Sequence, residues 1–402
     1  MNLLAINWQA VFQSFVDTWL PLIIPMALLF LFFLAIAFLR KGDKDPLNMT
    51  YLEAIRDSLL LFPFIAFFFT FFYILHQYHR YGSIHKLRTL IVYSFILYMI
   101  TIYFLTILPL PSMESVSAMT GPTMNLIPFS FVTDFLKETA FQWNDPTTYL
   151  QIVTEPAVYT VLFNIVMTIP FGMYLKYYFR VSTKKVVLYT FLLSLFFEIT
   201  QLTGLYFIYP RPYRLFDVDD LLTNTLGGLL GALFIKPVSK VLPSRKEIDR
   251  KSREEGMKIS VLRRLTYAGL DFFLFLIFWS ILEVFFSYSF TKYIAIISYY
   301  VGIPLLRGGK TPAGTFLNIT IVPTKPISLL TRILFLGAYY IGIPLLISIL
   351  FRNIHITSLA GILILLFYGV NLWQLRKRPP FYEKLLKVEL KSTIEVEKEN
   401  ET

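Results

Sequence analysis

Ten apolar stretches run along the chain, at about 18–39, 58–78, 88–108, 156–179, 185–208, 217–236, 265–289, 292–306, 327–351 and 356–374, separated by short clusters of charged and turn-forming residues. All but the eighth approach the roughly 20 residues that an α-helix needs to cross the hydrocarbon core of a bilayer. The eighth reads as tilted, re-entrant, or extended by Thr291 and Arg307. The pattern predicts an all-α polytopic membrane protein of about ten transmembrane helices in two bundles, six followed by four. Residues 1–236 form the first part, with its polar motifs in 88–236, and residues 237–262 form a basic connector. Residues 263–390 form the second part, and 391–402 a charged tail.

Composition supports this reading. The 402 residues are 56% apolar and 17% aromatic. Only 16% are charged, against about 25% in soluble domains. The net charge of +11 comes from Lys and Arg between spans, where they anchor the chain beside membrane lipids; nothing here calls for nucleic acid. Cysteine is absent, which excludes disulfides and thiolate metal sites. His76, His79 and His85 fall at a span end and read as interfacial, so neither a metal nor a cofactor is expected. No Lys or Arg precedes the first apolar run, so Trp19–Leu39 is expected to stay as a span rather than be cleaved as a signal peptide.

Basic residues in short loops set orientation. Lys236 to Arg264 carries ten Lys and Arg residues and is expected to be cytoplasmic, as is the tail after Arg376. The loop Pro109–Glu155 has only Lys137 and is expected outside. Arg40–Asp57 conflicts with this scheme, since it holds four basic residues yet falls outside. Within the long loop, Phe129–Trp143 interleaves Phe131, Phe135 and Phe141 with Asp134, Lys137 and Glu138. That pattern suits a helix lying at the membrane interface or a cap on the bundle.

Ionisable residues inside apolar segments are costly and therefore candidates for function. Glu198 and Gln201 are three apart, on one helical face. Arg211 and Arg214 precede Asp217, Asp219 and Asp220; Asn224, Gly227 and Gly231 then follow at helical spacing. The simplest pairing joins Arg214 to Asp217 or Asp220. Asp219 or Asp220 is expected to serve the helix N-terminus, where a carboxylate is stabilising. Upstream lie Asn125-Leu-Ile-Pro-Phe129 and a segment carrying Asn164 and Ile169-Pro170-Phe171-Gly172. Pro and Gly there predict a kinked or unwound helix. The glycine face predicts close helix packing.

These motifs, in this order, resemble the VanZ-like family, named for a teicoplanin-resistance determinant of Gram-positive bacteria. The resemblance implies reduced susceptibility to lipoglycopeptides, or the handling of native cell-envelope amphiphiles. It casts Asn164, Glu198 and Gln201 as a buried polar cluster and Arg214, Asp217 and Asp220 as its rim, with Asn125, Arg211, Asp219 and Asn224 as further candidate ligand-binding residues. A shared wet pocket open to the exterior is the central expectation.

Further along, Arg264 and Asp271 stand seven apart on one face, followed by Gly309-Lys310-Thr311-Pro312-Ala313-Gly314 and, near the end, Glu383. This resembles the RDD family, named for one Arg and two Asp, some of whose members are linked to cation–proton exchange. Glu383 stands where that family has its second Asp, and Ala313-Gly314 replaces its usual Gly-Lys.

No catalytic serine or cysteine motif, metalloprotease helix or Walker loop is present, so no enzyme activity is indicated. Three functions remain open: recognition of an amphiphile or lipoglycopeptide, ion-coupled transport through Glu198, Asp271 and Glu283, and a scaffold that recruits a partner. No pattern specifies an oligomeric state. An echo, Tyr300-V-G-I-P-L-L306 and Tyr340-I-G-I-P-L-L346, reads as two bent, packed helices.

Overall fold

The computed structural model describes residues 51–395, except 140–143, 147, 149–151, 153–154, 287, 352–356 and 378. The expected first span at 18–39 and the end of the charged tail lie outside the described residues. Among the described residues, eight helices are long and apolar enough to cross a membrane, and a shorter apolar helical stretch occupies Thr291–Leu306. The chain is an integral, multi-pass membrane protein, and its described residues are mostly helical. Its described residues divide into two compact units, one of residues 51–70 and 87–247, the other of residues 71–86 and 248–395.

The first unit contains the start of helix α1 (Tyr51–Tyr81), then α2 (Lys86–Ile107), α3 (Ser130–Glu138), α4 (Pro156–Tyr177), α5 (Thr183–Leu202) and α6 (Val218–Val238). α4 and α6 pack along their lengths, and glycine makes this possible. A Cβ on Gly227 would lie 2.2 Å from the Ile165 carbonyl oxygen, and one on Gly231 2.0 Å from that of Ile169. Gly172 meets the Gly228 backbone in the same way. These contacts explain why the Pro170 segment stays helical: α4 runs without interruption from Pro156 to Tyr177, contrary to the expected unwinding. Tyr98 hydroxyl donates to the Met167 carbonyl, 2.8 Å, which supports the turn that Pro170 weakens from the side of α2. Phe95, Phe171, Leu175, Val186 and Ala232 form the core between α2, α4, α5 and α6.

The second unit contains the end of α1, then α7 (Arg245–Gly256), α8 (Val261–Phe285), α9 (Thr291–Ile297), α10 (Pro326–Gly337), α11 (Ile343–Leu350), α12 (Thr357–Lys377) and α13 (Phe381–Leu386). The charged stretch expected as a solvated connector contains α7, whose Ile248, Ser252 and Gly256 are buried on one face. Their spacing of four explains it, since residues four apart share a helical face. Ser83 hydroxyl donates to the Ser252 carbonyl at 2.6 Å.

The echoed sequences adopt the same shape: a π-helical turn at Ser298–Gly302 and another at Ala338–Gly342, each followed by an α-helix that begins Ile-Pro. Two small ladders complete the structure. Strand β1 (Met124–Asn125) pairs in parallel with β2 (Phe216–Asp217) in the first unit. In the second, β3 (Ile319–Val322) pairs antiparallel with β4 (Glu389–Ser392), Ile319 opposite Ser392.

Candidate functional site

In the first unit the ends of α4, α5 and α6 carry the polar residues, and the long loop folds onto them through the β1–β2 ladder. Asn164 on α4 donates its amide to Asp220 Oδ1 on α6 at 2.6 Å. Asn224, one turn further along α6, donates to Ser194 Oγ on α5 at 2.9 Å. Ser194 in turn donates to the Asp220 carbonyl at 3.2 Å, and Thr168 to the Asn224 carbonyl at 2.8 Å. Glu198 is only 2% exposed; its Oε2 accepts from the Asp217 backbone N–H at 3.0 Å. Three spans therefore bring Asn164, Glu198, Asp220 and Asn224 together.

The other acids are committed to holding the loop. Asp217 is the N-cap of α6: its Oδ1 accepts from the Asp219 N–H at 2.9 Å, and its Oδ2 from Asn125 at 3.2 Å. Asp219 caps a different helix. Its two oxygens accept from Phe129 N–H at 2.5 Å, Ser130 hydroxyl at 2.9 Å and Phe131 N–H at 3.3 Å, at the start of α3. Such a carboxylate satisfies donors that a helix start leaves unpaired. Phe129 has a left-handed φ of 63°, strained for a non-glycine residue, and this contact helps to hold it. α3 and the turn before it then present Leu126, Ile127, Phe129, Val132 and Leu136 as exposed apolar side chains.

The arginines do not pair with the acids. Arg214 donates to the carbonyls of Thr106, 2.8 Å, and Leu108, 2.9 Å, at the end of α2. A helix C-terminus has orphan carbonyls and a partial negative charge, and these compete successfully with the nearby carboxylates. Gln201 shares the Thr106 carbonyl, 2.8 Å, and so points away from the Asn164 cluster. Arg211 donates to the carbonyls of Met119 and Gly121 in the long loop. Burial pushes the Tyr213 hydroxyl pKa up, so it remains a donor to the Ile107 carbonyl at 3.3 Å.

The arrangement is thus an acceptor-rich end of the helices. Among the described residues, Glu198 Oε1 and Asp220 Oδ2 receive no hydrogen bond, and Asn224 Oδ1 is buried without a donor. Such a cluster suits a ligand that brings N–H or O–H donors. Among the described residues no three His, Asp or Glu side chains gather closely enough to hold a metal ion. Ser194, Thr168 and Ser130 were not singled out from the sequence, although Ser194 lies four residues before Glu198 and Thr168 four after Asn164, on the same helical faces.

In the second unit, Arg264 pairs with both oxygens of Glu383. Asp271 Oδ1 instead accepts from the Tyr299 hydroxyl at 3.0 Å, in the first π-helical turn. Arg264 and Asp271 thus serve separate partners. Glu283 lies at the far end of α8 from Asp271 and is outside this cluster.

No curated protein and no solved structure matches the chain. Residues 95–240, the stretch that supplies every side chain of the acceptor-rich cluster, match the family model described as VanZ/LLP1, and this part of the chain is VanZ-like.

Proposed function

We propose that the VanZ-like unit recognises an amphiphile at the outer face of the cell membrane, with its polar head at Glu198 and Asp220 and its acyl part along the apolar arm of Leu126–Leu136. The observation that carries this reading is the pair of carboxylate oxygens without donors, set beside a loop whose apolar side chains are exposed. Asp217 and Asp219 tie the two features together, because the first holds Asn125 and the second holds the start of α3. Ionisable residues within apolar spans are costly and mark functional sites by default. An acylated glycopeptide such as teicoplanin has the matching chemistry, and reduced susceptibility to it is the activity this reading implies. The basic stretch 236–264 and the tail then face the cytoplasm.

Expression in a teicoplanin-sensitive Gram-positive host should lower susceptibility, and Glu198→Gln should remove most of that effect. Gln keeps an acceptor for the Asp217 N–H, so the fold is retained. The lost carboxyl oxygen at the head group is expected to weaken binding roughly tenfold, about 1.4 kcal/mol. Unchanged susceptibility on expression of the wild-type chain would exclude teicoplanin and leave native envelope lipids as the substrate class.

A second reading, ion-coupled transport, is favoured by the RDD-like second unit, where a buried carboxylate, Asp271, meets a π-helical turn. Such turns occur frequently at functional sites, and broken or bent helices line transport sites. Proton-driven cation flux in proteoliposomes that is lost in Asp271→Asn would establish it; an absence of flux under every gradient leaves recruitment of a partner as the role of this unit.

A further inference from the structure

We propose that the second unit contains a buried binding site for an oxyanion, a carboxylate or phosphate group, centred on Arg332. Arg332 lies in the middle of α10, in an apolar span, and is only 9% exposed. Its Nε is sealed from solvent without a hydrogen-bond partner, and among the described residues no carboxylate comes within ion-pair distance of it. Two other arginines of this unit contrast with this. Arg263 has three carbonyls as acceptors and Arg264 has Glu383. A guanidinium buried in an apolar span without an acceptor in hydrogen-bond or ion-pair contact costs several kcal/mol. A lone Arg in the apolar stretch 327–351 was the signal available in the sequence.

The surroundings are donors rather than acceptors. Tyr300 and Tyr382 lie within electrostatic range of Arg332, as does Tyr267, which is already hydrogen-bonded with Asp271. Asp271 lies within that range as well, and it already takes the Tyr299 hydroxyl. The helix bearing Arg332 packs against the first π-helical turn, and it continues directly into the second. Both turns carry a Tyr-Tyr pair, Tyr299-Tyr300 and Tyr339-Tyr340. A planar guanidinium fork with phenol donors beside it matches the oxygens of a carboxylate or phosphate. Asp271 opposes an anion there by like charge, so binding is weakest while Asp271 is ionised. This site is independent of whatever the VanZ-like unit binds.

The test uses the full-length protein purified in a zwitterionic detergent. Sodium phosphate, titrated against sodium chloride at constant ionic strength, should raise the thermal midpoint of the wild type and not of Arg332→Gln. Asp271→Asn should respond at phosphate concentrations roughly tenfold lower. If the anion is instead a lipid headgroup, free phosphate is inert, and native mass spectrometry should show phosphatidic acid retained over phosphatidylcholine by the wild type but not by Arg332→Gln. Should Arg332→Gln fail to fold, Arg332→Lys takes its place; Lys keeps the charge without the fork and should bind roughly tenfold more weakly. The proposal is overturned if neither phosphate nor phosphatidic acid distinguishes the wild type from the Arg332 variants. It is equally overturned if Asp271→Asn shows no gain in anion response and simply loses stability, since Arg332 is then a distant countercharge for Asp271.

Discussion

Gly231→Ala is expected to cost more than about 3 kcal/mol and to leave little monodisperse protein after solubilisation. A single methyl group suffices because its position is already taken: a Cβ at Gly231 would stand 2.0 Å from the Ile169 carbonyl oxygen and 3.1 Å from the Met173 backbone nitrogen. Overpacking against a flexible side chain costs typically about 1–3 kcal/mol. Here the obstacle is the backbone of α4, which cannot turn aside, so the two helices must separate along their shared face. Gly227→Ala should behave alike, with the Ile165 carbonyl oxygen 2.2 Å away. Separation would also part Asn164 from Asp220 and Thr168 from the Asn224 carbonyl, so the acceptor cluster is lost together with the packing. Gly269→Ala is the control, since nothing lies within 4 Å of its Cβ position on α8. Size-exclusion profiles of detergent extracts, heated in steps, would read all three variants. A Gly231→Ala profile that melts with the wild type would mean that α4 and α6 are not in contact through these glycines.

The same helices show how far side-chain pattern reaches. The spans are legible because roughly 20 apolar residues at a time have few other uses, and the glycine face of α6 because small residues at a spacing of four permit close approach. The meeting of Asn164 with Asp220 follows from both lying at the same depth on facing helices. The partner of Arg214 was not legible. Carboxylates adjacent in sequence suggested an ion pair, whereas the Thr106 and Leu108 carbonyls come from a helix end 106 to 108 residues away. The role of Asp219 was hidden for the same reason: the N–H groups it satisfies belong to α3, 88 to 90 residues distant. At Pro170 the sequence allowed a kink or an unwound turn; the helix is continuous through it, so the unwinding does not occur. The parallel β1–β2 ladder, two residues long, carries no periodicity from which it could have been expected.

Arg263→Ala should be at least as damaging as the glycine change, and confined to the second unit. The guanidinium is fully buried. It donates to the carbonyls of Leu317 at 2.9 Å, Gly256 at 2.7 Å and Asn318 at 2.6 Å, and to Ser392 Oγ at 3.2 Å. Ser392 also donates to the Gly256 carbonyl, 2.7 Å. One side chain at the start of α8 thus closes the end of α7, the segment leading into β3, and β4. Removing it leaves three carbonyls buried without their charged donor, and each such loss costs about 1–3 kcal/mol. A combined cost above about 4 kcal/mol places the variant among the most severe single substitutions. Arg263→Lys restores the charge but not the fork, since one ammonium cannot span acceptors that come from three directions; it should recover only part of the loss. Limited proteolysis of the detergent-purified protein reads the effect locally. Cleavage in 310–325 and 385–395 should appear in both variants, while the VanZ-like segment stays resistant. Truncation after Val388 deletes β4 and Ser392 and should expose the same 310–325 sites. Its failure to do so would show that Arg263 holds Leu317 and Asn318 without the strand.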